Sequence, residues 1–197
     1  VWRSRARFFV VGLGANFQAI GMPAIIALFL TDSEFLQFRY FERIAAFLSV
    51  IVVFQGVILP SFVFHGNDTK FTKGVLRRIL IIMSISAVWA IFMGLILIYC
   101  KIHLPGVFSV NMSNKLFVGI LIIHAVIALS APLSFALVLS DFEPVVFKIQ
   151  AIYLVFTPFI IYYFYKIAGL DGLIFSLLTA QIIRLVALIR TSRSARL

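Results

Sequence analysis

Charge and cysteine are the two things this sequence has least of. Only 12% of its 197 residues are charged, against roughly 25% in an ordinary soluble domain. The single cysteine, Cys100, excludes an internal disulfide and any thiolate metal cluster. His65, His103 and His124 are scattered without ligand spacing. No phosphate-binding glycine loop, nucleophile elbow or paired catalytic carboxylates occur. "VGLGANFQAIG" has the wrong glycine spacing and the apolar character of a helix. "NDT" at Asn67 and "NMS" at Asn111 match the short glycosylation pattern, which arises often by chance. Nothing in this set points to an enzyme, a cofactor or a metal.

What the sequence does have is apolar. Sixty-three per cent of residues are hydrophobic, 22 of them Phe, and mean hydropathy is +1.13. That composition is an integral membrane protein's. The net charge of +10 would suggest nucleic acid in a soluble chain. Here the basic residues cluster between apolar runs, so no nucleic-acid partner is expected.

Six runs reach the length needed to cross the hydrocarbon core as helices: Phe8 to Leu30, Ile44 to Phe64, Ile79 to Cys100, Leu116 to Ser140, Ile149 to Tyr165 and Gly172 to Ile189. The expected fold class is therefore an all-α integral membrane protein, a single domain of six transmembrane helices over residues 1–197. The connections, such as "TDSEFLQFRYFER" and "KIAGLD", are too short for a soluble domain. With the N-terminus inside, eleven Lys and Arg fall on the inner side and five on the outer, which satisfies the positive-inside bias and places both termini in the cytoplasm. "RSRAR" before "FFVVGLGA" also has the form of a secretory signal, but the apolar run continues to Leu30, too far for one. The chain begins at Val1 rather than Met, which fits a nonstandard start or the later part of a longer chain.

The polar and helix-breaking residues inside the spans carry what functional information there is. Pro23, Pro60, Pro132 and Pro158 fall in four of the six runs; each removes a backbone hydrogen bond and is tolerated where neighbours or water satisfy the freed carbonyl. Asn16, Gln18, Gln55, His124 and Gln181 serve either as interhelical links or as a polar lining. Arg184 lies six residues before Arg190, about 9 Å inside the membrane edge at 1.5 Å per residue, with Gln181 on the same face at i−3. A water-filled cavity, snorkelling and a paired structural role are all open to it. In "FRYFERIAAF", residues 38–47, Glu42 reaches Arg39 at i,i+3, while Arg43 is either solvated at the helix start or turned into a cavity in line with Gln55. All seven acidic residues sit at or beyond the span ends. The charge within the membrane is positive, so the expected substrate is anionic.

The succession "FLQFRYFERIAAFLSVIVVFQGVILPSF", a basic loop, "LIYCKIHLPGVF" and "KIAGLDGLIFSLLTAQIIRLVALI" resembles the C-terminal six-helix half of a polysaccharide (O-antigen type) flippase of the multidrug/oligosaccharidyl-lipid/polysaccharide exporter superfamily. Tyr40 to Ile44, Pro60-Ser61, Pro105 to Phe108 and Gly169 to Gly172 carry the likeness, in order, across about 160 residues. The resemblance implies a twelve-helix transporter of two lobes around a central cavity, moving undecaprenyl-diphosphate-linked oligosaccharide across the bacterial inner membrane. It implies Arg43 and Arg184 for charge, and Gln55, Gln181 and Asn16 as polar lining. It also implies a partner, either a first half or a second copy, because this chain supplies one lobe. A multidrug antiporter shares the architecture, but its cationic substrates favour an intramembrane carboxylate that this lobe lacks. A non-transporting assembly subunit is the remaining alternative. A membrane-embedded polymerase or acyltransferase would need a larger catalytic loop.

Overall fold

The computed structural model describes residues 22–63, 72–103, 114–140 and 142–194. Among them every regular element is helical: α1 (Met22–Ala27), α2 (Asp32–Val63), α3 (Lys73–His103), α4 (Asn114–Leu139) and α5 (Glu143–Ser194). Three described helices are long and apolar enough to cross a membrane: Gly74–His103 within α3, Asn114–Leu139 and Glu143–Ser194.

α5 is two helices in one. Ala168 and Gly169 leave helical geometry, Gly169 at φ 57° and ψ −135°, a conformation that a side chain resists. Beyond it the chain turns back on itself. Gln181 donates to Tyr153 at 2.8 Å, whereas a straight helix would hold those residues about 42 Å apart. The arms 143–167 and 170–194 thus lie antiparallel, so close at the turn that a Cβ on Gly172 would stand 2.0 Å from the Phe164 carbonyl oxygen. The two short apolar runs expected on either side of "KIAGLD" correspond to these arms.

α2 departs from expectation at its start. The segment "TDSEFLQFRYFER", read as a connection, is helical from Asp32 onward. Thr31 caps it: its N–H donates to Glu34 Oε2 at 3.0 Å, and the Glu34 N–H donates back to Thr31 Oγ1 at 3.4 Å. This reciprocal capping box satisfies amides that the first turn would otherwise leave open. Tyr165, at the end of the first α5 arm, donates to the same carboxylate at 3.1 Å. The Thr31 amide, against the opposing pull of burial, holds the Glu34 carboxyl below its ordinary range, helped by the Thr31 and Tyr165 hydroxyls.

α4 is the central helix, packed on α2, α3 and α5. Two apolar clusters mark the ends of an up-and-down bundle. One joins Phe38, Phe41 and Ala45 of α2 to Phe117 and Ile120 of α4 and Leu173 and Leu177 of α5. The other joins Val75 and Ile79 of α3 to Leu133 and Leu137 of α4 and Val146 and Leu188 of α5. The start of α2, the end of α3, the start of α4 and the α5 turn therefore share one end of the bundle. Arg77, Lys148, Arg190 and Arg193 belong to the other, all exposed. α3 stands at the periphery with Leu80, Val88, Ile91, Leu95 and Tyr99 exposed, an apolar surface that water would penalise and lipid would not.

Candidate functional site

A cavity of about 540 Å³ lies between α1, α2, α4 and both arms of α5 and is lined by several of the predicted residues. It forms because α1 ends in a tight turn at 28–30 and lays Met22, Pro23 and Ile26 beside α2. α2 contributes three successive charges, Arg39, Glu42 and Arg43. Deeper in, His124 of α4 and Tyr153 and Gln181 of α5 give the wall its polar groups among aliphatic ones.

The charges do not act equally. Arg39 and Glu42 form an ion pair, the one the i,i+3 spacing predicts. Arg43 lies in the field of Glu42 but is exposed, and its guanidinium donates no hydrogen bond to any other described residue. The pair cancels, so the cavity rim keeps Arg43's charge. Arginine's planar fork suits phosphate and carboxylate oxygens.

Arg184 belongs to a second, almost wholly apolar cavity of about 350 Å³ on the far side of Tyr153, which lines both. It is 8% exposed. Its Nη1 donates to Gln181 Oε1 at 3.4 Å. With the Gln150 amide turned to present its oxygen, Arg184 also donates from Nε at 3.3 Å and from Nη2 at 2.7 Å. The guanidinium stacks near the Tyr153 ring, 5.8 Å from its centroid. Of the three roles open in the sequence, the structure places Arg184 in a paired, desolvated network that borders the main cavity through Gln181.

Gln55 is elsewhere. Its Nε2 donates to Ser86 Oγ of α3 and to the Ala128 carbonyl of α4 at 3.3 Å. It is a buried tie between three helices. Gln181 and Arg43 thus line one cavity, Arg184 touches it through Gln181, and Gln55 does not line it. Asn16 and Gln18, with the span from Phe8 to Gly21, lie outside the described residues, as do His65, Asn67, Asn111 and the Pro105 to Phe108 turn.

Sequence reasoning missed Tyr153 and Gln150. Tyr153 was one aromatic among many. Gln150 sat at the edge of a span and drew no notice, although it lies one helical turn from Tyr153 and so shares its face.

The donors here, arginine, tyrosine and glutamine N–H and O–H groups, suit a ligand rich in oxygen acceptors. Among the described residues no group of His, Cys, Asp and Glu is placed to hold a metal. Compared with protein-family models, curated proteins and solved structures, the chain finds no match.

Proposed function

We propose that the chain is one lobe of a membrane transporter that moves a lipid-linked, anionic oligosaccharide across the bacterial inner membrane, as in the polysaccharide flippases its sequence resembles. In this reading six helices span the bilayer, one for each of the six apolar runs of the sequence. Both termini face the cytoplasm, and the capped start of α2 and the α5 turn face the periplasm. The eleven Lys and Arg that this topology puts on the inner side of the sequence, against five on the outer, support that orientation by the positive-inside bias.

The observation that carries the proposal is the cavity of about 540 Å³ with Arg43 at its rim and Tyr153 and Gln181 in its wall. A flippase needs no bond chemistry. It needs to replace water around a sugar diphosphate while the lipid tail stays in the bilayer, and a cation with neutral donors does that. Flipping also calls for a second wall. From Arg43 an exposed stripe of Phe47, Val50 and Phe54 continues down α2 at helical spacing, in line with the cavity mouth. A second lobe, from a first half or another copy, would close over it. The absence of any described carboxylate deep in the cavity favours this substrate class over cationic drugs.

The test is surface-polysaccharide export in a flippase-deficient bacterium, with the chain expressed alone and with the first six helices of a twelve-helix flippase. Export with the partner, lost in Arg43→Ala, supports the reading. Stable insertion without export under either condition would overturn it.

A further inference from the structure

The network behind the cavity has a direction. A guanidinium donates and never accepts, so any amide beside Arg184 must turn its oxygen toward it. Gln150 does so on one arm of α5, and Gln181 does so on the other, through Oε1 at 3.4 Å. With its oxygen committed, Gln181 has only its nitrogen end for the cavity. Nε2 donates one hydrogen to Tyr153 Oη at 2.8 Å, which turns the tyrosine's own proton away from the amide, and carries a second. Gln181 and Tyr153 both line the cavity.

We propose that Arg184 is a positioning residue: by fixing the polarity of the Gln181 amide, it makes this wall a hydrogen-bond donor surface that selects oxyanion ligands over amines. Arg184 acts from behind the wall, without touching the ligand. The inference rests on the reading of the cavity as an anion site and adds what sets its specificity. Without the guanidinium a glutamine amide flips freely, and half its orientations offer a carbonyl that repels phosphate and attracts ammonium.

The experiment uses the full chain in lipid nanodiscs and two probes with the same tail, farnesyl diphosphate and farnesylamine, read by intrinsic fluorescence. The wild type is expected to prefer the diphosphate. Arg184→Met should shrink that preference about tenfold, the worth of one charge-assisted hydrogen bond. Arg184→Lys, also a pure donor, should keep it within about threefold. Gln181→Glu covers the case in which Arg184→Met does not fold. It preserves shape and gives Arg184 a carboxylate, but withdraws the amide donors, so the preference should fall by a similar factor with the melting temperature maintained. A folded Arg184→Met or Gln181→Glu protein with undiminished preference would overturn the positioning role while leaving the anion site standing. A wild type indifferent between the probes would overturn both.

Discussion

The Gln55 side chain donates to the one carbonyl that Pro132 strips of its helical partner. A proline has no N–H, so in α4 the oxygen four residues earlier, that of Ala128, has no intrahelical donor. Gln55 Nε2 reaches it from α2 at 3.3 Å while also donating to Ser86 of α3, and Ser86 in turn donates to Ile82 at 2.8 Å. The proline and the amide belong to different helices, yet each explains the other.

Gln55→Leu should therefore destabilise the protein by about 1–2 kcal/mol, the upper range for interhelical hydrogen bonds in membranes. Pro132→Ala restores an N–H for Ala128. The double variant should lose less stability than the sum of the singles, and a double-mutant cycle on unfolding in detergent would show it. Strict additivity would separate the two residues.

Glu34 predicts a pH dependence. Its folded carboxyl titrates below the ordinary value, so the capping box stabilises the fold fully above that ordinary value and loses its contribution as pH falls through the lowered one. Thr31→Ala should cost about 1 kcal/mol near neutrality. Glu34→Gln should lower the melting temperature at pH 7 and approach the wild type in acid, once the wild-type carboxyl is protonated and as neutral as the amide. A gap that widened in acid would contradict the assignment.

Three glycines should part company on substitution. A Cβ at Gly172 meets the Phe164 backbone at 2.0 Å, whereas one at Gly94 meets nothing within 4 Å. Gly172→Ala should block folding of the α5 turn. Gly94→Ala should be neutral or gain up to about 1 kcal/mol in helix propensity. Gly169→Ala has space but a positive φ with ψ −135°, outside the left-handed helical region, and should cost about 1–3 kcal/mol. Yields of folded protein and melting temperatures would rank them.

α3 offers a direct check of membrane crossing. In a Cys100→Ala background, Thr72→Cys and His103→Cys stand at its opposite ends, both exposed. An impermeant thiol reagent should label them from opposite faces of the membrane, and labelling from one face would refute the span.

How much of this was legible beforehand depended on whether the signal was local. Apolar length marked α4 within two residues at each end and α3 within six, since α3 runs on past its apolar stretch into its polar ends. The α5 turn was legible from "KIAGLD" because glycine announces it. At α2 the helical spacing was legible from Arg39 and Glu42, but the turns from Asp32 lay in a segment read as a connection, although Thr31 and Glu34 stand at the capping-box spacing. Arg43 and Gln181 could be picked out as polar residues on apolar faces. Gln55's task could not be, because it depends on a carbonyl 73 residues away. Likewise Arg184's burial depended on Gln150, whose nearness across the hairpin no sequence period encodes.

The hairpin also sets a sequence in time. A lone helix carrying arginine at the depth of Arg184 partitions into lipid at a penalty of about 2.5–3.5 kcal/mol. The groups that relieve it, Gln150 and Tyr153, sit on the arm the ribosome delivers first. If both arms span the bilayer, as the six-span reading proposes, the earlier arm would bring an acceptor and a ring face into the membrane before the charged one emerges, and the second arm would insert against its neighbour.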